Sequence, residues 1–536
     1  MNLKRTEIEN TLAWKKMGIS LPRFCVSEMC VRTKEAPQWV HFGAGNIFRA
    51  FIARISQNLL NLGLVESGIV AVETYDYEII DRVYKPYSDL SLFVGLKSDG
   101  NMDMEVIASV ARSLNADSSV EKDWSALHDI FKNPELQLVS VTITEKGYGL
   151  YGADGKLLAV VSDDIKSGPS APRHAMSVVA ALLYSRFLSG GAPLALVSMD
   201  NCSRNGEVFY KAVYTVAEGW YRNGHVDRAF LDYISDETKV AFPWSMIDKI
   251  TPYPDDSVYK ELTRLGLEGM EPLTTSKNSF TAPFVNAEIP EYLVIEDSFP
   301  NGRPPLEKAG VYLTDRETVN KTEKMKVTTC LNPLHTALAV FGCLLGFKKI
   351  SDMMNDQDMV NLVNRLGYTE GMPVVTDPKI IRPRAFIKEV LEKRLPNPFL
   401  PDTPQRIATD TSQKMAIRFG ETIRAYMESE ALDTAELTVI PLVIAGWLRY
   451  LLAVDDNGNE MPLSPDPALG ELTALLSDIC VGVPNIAGGQ LYPILSNAQI
   501  FGVNLFDAGL GEKVIKIFNE LIAKPGAVRE VVRKYT

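Results

Sequence analysis

Histidine is scarce in this chain, five among 536 residues, and cysteine is nearly so at six. No HExxH or CxxC spacing occurs, and Cys25 and Cys30 form a lone CxxxxC pair without a second half. A zinc site, structural or catalytic, is therefore not expected. The other cysteines (Cys202, Cys330, Cys343 and Cys480) are scattered and make no disulfide framework, which suits a reducing compartment. Positive charge is also short. Lys and Arg number 55 against 67 Asp and Glu, a net charge of −12, which argues against nucleic acid or an anionic membrane as partner. An anionic small substrate would need a local basic pocket working against that field. The most apolar long stretch, residues 437–454, carries Arg449 near its middle and reads as a core helix rather than a membrane span. Residues 1–9 are charged and no apolar signal segment follows, so a cytoplasmic protein is expected. Internal repeats and low-complexity tracts are missing as well. What is present is ordinary for a soluble globular protein, 46% hydrophobic and 23% charged, with length enough for two or more domains.

The amino-terminal half reads as a nucleotide-binding sheet. An apolar strand over 38–42 runs into Gly43-Ala-Gly45-Asn46-Ile-Phe48-Arg49, and helical periodicity follows through Phe51, Ile52, Ile55, Leu59 and Leu60. Strand, Gly-x-Gly, helix is the context of a dinucleotide fingerprint. Gly43 would permit the tight turn, and Gly45 would let the backbone approach a pyrophosphate at the helix N-terminus. Phe48 stands where the third glycine is usual, so the match is partial. A second apolar strand over 68–73 ends in Glu73, where a carboxylate can accept from an adenosine ribose diol and repel a 2′-phosphate, a preference for NAD. Asp76 competes for that role. Further strand-like runs cover 92–96, 106–110, 138–144 and 194–199, with a helical pattern over 171–188 between the last two. These last two strands end in Glu145-Lys-Gly147-Tyr and Asp200-Asn201, polar groups at the sheet edge where open α/β folds bind ligands.

From residue 326 onward the pattern is mainly helical, over 334–347, 357–366, 379–394, 412–429, 434–453, 471–476, 497–505 and 511–522. The predicted architecture is α/β: a Rossmann-type nucleotide-binding domain with extensions over 1–320, followed by a mainly α-helical substrate and catalytic domain over 321–536.

Chemistry concentrates in Lys326-Val-Thr-Thr-Cys-Leu-Asn332-Pro-Leu-His335, polar groups set into an apolar helical run. Burying a lone polar group costs roughly 1–3 kcal/mol unless it finds a partner. A desolvated lysine can serve as acid or base near neutrality, an asparagine can donate to a developing alkoxide, and a histidine can orient either. The bland alternative is a satisfied core histidine and an Asn-Pro helix start.

Five segments carry a resemblance: Gly43 to Arg49; Thr144-Glu145-Lys-Gly147-Tyr148; Asp200-Asn201-Cys-Ser-Arg-Asn205-Gly206; Phe242-Pro-Trp-Ser-Met-Ile-Asp248-Lys249-Ile-Thr-Pro252; and Lys326 to His335. In this order they resemble the long-chain mannitol dehydrogenase family, zinc-independent polyol and hexuronate dehydrogenases. Cys330 to Ala339 and Arg406 to Lys414 look most like its fructuronate reductase branch. The resemblance implies an NAD-dependent enzyme acting on a small hexuronate or aldonate, with Lys326 as general acid/base and Asn201 with Asn332 as the oxyanion hole. It implies that His335 orients substrate and lysine, that Glu323 relays protons to solvent, and that Asp248 binds substrate hydroxyls, with the neighbouring Lys249 on the substrate side. Gly43, Gly45, Asn46, Phe48, Arg49 and Glu73 would form the cofactor side. The family usually has four residues between lysine and asparagine; this chain has five, residues 327–331. On a regular α-helix one insertion swings Lys326 away from Asn332 by about 100°. Either a π-bulge absorbs the extra residue or Lys324 is the base; Lys326 is the reading we favour.

Three functions remain open on sequence alone: fructuronate reduction, the same chemistry on tagaturonate, mannitol or another polyol, and a non-catalytic nucleotide-binding regulator. The four polar residues Lys326, Asn201, Asn332 and His335 argue against the last. A uronate needs a cationic clamp, for which Arg49, Lys249, Arg382, Arg384, Lys414 and Arg418 are candidates. A monomer or homodimer is expected.

Overall fold

Trp39–Phe42, without one solvent-exposed residue, forms the central strand β1 of the computed structural model, which describes residues 1–485 and 488–536. Around it lie β2 (Ile69–Glu73), β3 (Val110–Asn115), β4 (Leu138–Val141), β5 (Leu194–Ser198) and β6 (Val240–Ala241), in the order β3-β2-β1-β4-β5-β6. Every neighbouring pair is parallel, with Trp39 opposite Ile69 on one side and Leu138 on the other. This is the doubly wound order of a Rossmann sheet, whose direction of winding reverses between β1 and β4. Alternation divides the side chains between two cores: Val40, Phe42, Val70, Val72, Val139 and Val141 pack on one face, and Trp39, Ile69, Ala71, Leu138 and Val197 on the other. Burial on both faces explains why these strands read as continuous apolar runs.

Two of the expected strands belong elsewhere. Ser91–Leu96 and Met102–Ile107 pair antiparallel in a separate four-stranded sheet with Ile19–Ser20 and Phe284–Glu288. The connection over 97–101 is too short for a parallel crossover, which needs about a dozen residues or more, so a hairpin is forced. The run into 110 in fact leads to β3. A three-stranded sheet of Ser245–Asp248, Tyr292–Glu296 and Tyr312–Thr314 completes the sheets that matter for function.

The chain divides into two compact units, Met1–Lys97 with Asn101–Asn320, and Lys321–Thr536 with Ser98–Gly100. The second unit is helical. Its core helix Val439–Tyr450 is buried at every residue, Arg449 included, whose guanidinium donates to the carbonyls of Val454 and Asp455. The orphan amides at its start are met by Glu370, which accepts from Thr438, Val439 and Ile440 at 2.6–2.8 Å. Among the described residues one helical run, Arg316–Leu344, is long and apolar enough to cross a membrane, but 83% of its apolar window is buried within the protein. Among the described residues of this unit four helices carry a π-turn, at Lys326–Cys330, Arg365–Gly371, Val390–Arg394 and Ala416–Gly420. The first packs against the second and the fourth. A Cβ on Gly371 would lie 2.9 Å from Thr329 Cγ2, so glycine permits that approach.

Candidate active site

In the first unit a cleft of about 750 Å3 opens at the carboxyl ends of β1, β2 and β4, where the winding reverses. Gly43 and Gly45 form its floor, with Glu73, Asp76, Thr142 and Thr144 around them. Gly43 has φ +98°, and a Cβ there would stand 2.1 Å from the Thr142 carbonyl oxygen, so no other residue fits the turn. A Cβ on Gly45 would meet nothing within 4 Å: the space above it belongs to the cleft.

Glu73 lines the cleft, yet much of its carboxylate already serves the backbone. Oε2 accepts from the Ala44 N–H at 3.0 Å, and Oε1 from Thr74, Tyr75 and Asp76 at 3.0–3.3 Å. Burial pushes its carboxyl up, against the pull of those amides. Its first task is to pin the Gly43–Gly45 turn to β2. Asp76 is differently placed: Oδ2 accepts from Thr275 Oγ1 at 2.6 Å, while the buried Oδ1 has no partner. An unsatisfied buried carboxylate oxygen beside the cleft suits a diol hydroxyl.

Phe48 and Arg49 turn away from the expected cofactor role. Phe48 is fully buried and stacks on His41 at 4.3 Å, because the apolar stripe of its helix faces the core. Arg49 is buried behind that helix, donating to the Ala282 carbonyl, Thr281 Oγ1 and Asn46 Oδ1 at 2.7–3.0 Å. Asn46 is thereby spent partly on holding Arg49. The glycine motif set Arg49 beside the turn but could not show that Thr281 and Ala282 would take up its guanidinium.

The Thr144–Tyr148 loop is held by Asp200. Its Oδ1 accepts from Thr144 N–H and its Oδ2 from Ile143 N–H and the Tyr148 hydroxyl, at 2.7–3.0 Å. Asn205 ties the same strand end to Ser245, donating to the Ser198, Asp200 and Ser245 carbonyls. Motif residues Asp200 and Asn205 are thus framework, and between them Asn201 is exposed at the carboxyl end of the sheet.

In the second unit the register of the lysine helix is explicit. The Leu331 N–H bonds to the Lys326 carbonyl at 3.1 Å, an i to i+5 bond, so a π-turn over Lys326–Cys330 takes up the extra residue. Leu331 breaks the helix at φ −133°, and a new one starts at Asn332 with Pro333 in its first turn, where the missing N–H costs nothing. Lys326 is 2% exposed. Lys324 is half exposed and paired with Glu421 at 3.0 Å. Glu323 and Asn332 are half-buried. His335 Nε2 stands 3.3 Å from Asp402 Oδ2, and Asp402 also pairs closely with Arg406. Burial opposes ionisation of Asp402, but His335 and Arg406 outweigh it and hold its carboxyl below the usual range.

Residues 37–308 match the mannitol dehydrogenase Rossmann domain and residues 318–535 the mannitol dehydrogenase C-terminal domain. The chain belongs to the mannitol dehydrogenase family. Within that family, it is 55% identical over its whole length to a D-mannonate oxidoreductase of Thermotoga maritima, covering 99% of that protein. The structure of Pseudomonas fluorescens mannitol 2-dehydrogenase with NAD and D-mannitol superposes with a TM-score of 0.69 at 25% identity, over 100% of this chain and 99% of that one. A substrate-free D-sorbitol dehydrogenase shares the fold, TM-score 0.77 at 24% identity, over 96% and 97%.

On this mannitol dehydrogenase scaffold, Asp248 ends a buried strand paired to Tyr292. Lys249 departs from the expectation of a substrate-side cation. Its ammonium donates to Glu291 Oε2 at 2.7 Å and the Glu288 carbonyl at 2.6 Å, under the rings of Phe51 and Phe93. With those partners the lysine is a structural ion pair, which strand register alone could not foretell. Asp402 went unnoticed in the sequence; its only signal was the i, i+4 spacing to Arg406. Among the described residues no group of three or more His, Cys, Asp or Glu could hold a metal.

Proposed function

We propose that this enzyme reduces D-fructuronate to D-mannonate with NADH, reversibly, and that Lys326 is its general acid/base. The 55% identity over the full chain to a D-mannonate oxidoreductase carries the choice of substrate. The cleft fits the cofactor: a glycine floor open above Gly45, a helix start behind it, and the unpartnered Asp76 oxygen at its side. NADH bound there supplies the hydride that goes to the C5 carbonyl.

The chain's own residues then handle the oxygen. Lys326, withdrawn from water, gives the proton that turns the carbonyl oxygen into a hydroxyl, and in oxidation takes it back. Asn332 and Asn201 keep the donor roles the resemblance gives them, a contribution of roughly 3–4 kcal/mol per donor in comparable sites. His335 Nε2 faces the Asp402 carboxylate at 3.3 Å, which leaves Nδ1 as the nitrogen available to a substrate hydroxyl. Glu323, half-buried on the same helical run, is the link to solvent. All six cysteines are free, in keeping with a cytoplasmic enzyme, which we expect to act as a monomer or homodimer.

A substrate panel tests this reading. With NADH, kcat/KM should be highest for fructuronate, above tagaturonate and fructose, and NADPH should be the poorer reductant. A preference for tagaturonate or fructose would reassign the enzyme within its family.

A further inference from the structure

Six basic residues compete on sequence for the carboxylate of a uronate, and their surroundings separate them. Arg49 serves Ala282, Thr281 and Asn46; Lys249 serves Glu291 and Glu288. Arg382 and Arg384 are exposed. Arg406, from the same motif, is taken by Asp402. Arg418 is different. It is half-buried in the π-turn Ala416–Gly420, which packs against the Lys326 π-turn, and its Nη1 donates to Thr336 Oγ1, a neutral acceptor. Thr336 follows His335 directly and donates to the Asn332 carbonyl at 3.0 Å. The guanidinium is therefore one hydroxyl away from the backbone of the asparagine and histidine assigned to the reacting oxygen.

A guanidinium whose side-chain partner is a neutral hydroxyl, with a second basic residue four positions earlier on the same helical run, points to an anion at this position. Loss of solvent lowers the Arg418 guanidinium to about 10, and no described carboxylate stands close enough to offset it. Lys414, one turn earlier, is a second cation, already donating to the Thr409 carbonyl; burial lowers it and the Arg418 charge lowers it further, against the opposing pull of Asp410 and Asp466. Like charges four residues apart on a helix repel, and withdrawing both from water adds to that cost. A bound anion reverses both effects, and a guanidinium meets a carboxylate through two parallel hydrogen bonds.

We infer that Arg418 is the residue that anchors the substrate carboxylate, with Lys414 adding to the positive field, and so sets preference for hexuronates over neutral ketoses. This rests on the reaction proposed above. The substrate is held at its carboxylate end by Arg418 while its ketone is presented to Lys326 and Asn332.

Arg418→Gln tests the anchor, since glutamine keeps a donor for Thr336 and removes only the charge. With wild-type enzyme active on fructuronate, the variant should show a KM raised about 100-fold, a kcat changed far less, and an unchanged dissociation constant for NADH. Arg418→Lys should recover part of the KM. A fructuronate KM within about twofold of wild type in Arg418→Gln would overturn the anchor and leave the reaction standing. A loss confined to kcat, or a loss of NADH affinity and melting temperature alongside KM, would also overturn it in favour of a structural role. Wild-type enzyme inert on hexuronates would overturn the reaction and the anchor together.

Discussion

Lys324 and Lys326 are two residues apart and have opposite surroundings. Lys324 is half in water and neutralised by Glu421; Lys326 is withdrawn into the protein at the head of a π-turn. Lys326→Ala should abolish turnover, a fall of about 10²–10⁴-fold or more, with NADH binding nearly intact because the group acts on the substrate oxygen. Lys324→Ala should keep its activity and stay within about 0.5 kcal/mol of wild-type stability. Steady-state kinetics with nucleotide titration decides the matter, and the reverse pattern would move the base to Lys324. At this scale the sequence was informative where a residue was chemically out of place. Lys326, Asn332 and His335 stood out as polar groups in an apolar run. Their partners did not: Asp402 lies far along the chain from His335, and nothing in Glu73 itself announces that four backbone amides will converge on it.

Elements were legible when their pattern was periodic and local. The strand before Gly43, most helices of the second unit and the buried character of the helix within residues 437–454 follow from spacing, while the helix Ala527–Tyr535 lies beyond the last one expected, 511–522. Pairing was harder, because residues 92–96 have the same apolar pattern whether they join a parallel sheet or a hairpin; the short connection decides it. The Gly-x-Gly turn offers a clean test at this scale. Ala at Gly43 would collide with the Thr142 carbonyl and strain the turn, so loss of binding there would report folding as much as contact. Gly45→Ala meets no protein atom. It should leave the melting temperature unchanged and weaken NADH at least tenfold, by holding the pyrophosphate off the helix N-terminus. Fluorescence titration with NADH reads this directly, and unaltered affinity would mean the phosphates do not approach this turn.

For the molecule as a whole, stability should depend on pH through one group at the centre of the Rossmann sheet. His41 is wholly buried between Ser140 Oγ at 2.6 Å and Thr142 Oγ1 at 2.8 Å, with Phe48 stacked on its ring. Burial pulls its pKa from 6.5 down to about 3, so the imidazole is neutral in the native state. In the unfolded chain it regains an ordinary value near 6.5 and binds a proton below it. The unfolded state therefore holds more protons than the native one between about pH 6.5 and pH 3, and stability falls as the solution is acidified through that window. Each pH unit well inside the window costs about 1.4 kcal/mol, roughly 2 kcal/mol by pH 5. Carboxylates held below their usual range, Asp402 by His335 and Arg406 and Asp358 by Arg533 and Arg529, add losses of the same sign at lower pH. Those terms are shared by a variant that changes only residue 41. His41→Gln, which can still bond both hydroxyls, should lose stability at neutral pH through altered packing against Phe48. Its melting temperature should nevertheless fall less than wild type's between pH 7 and pH 5. Equal falls for the two proteins would show that the buried imidazole is not linked to folding.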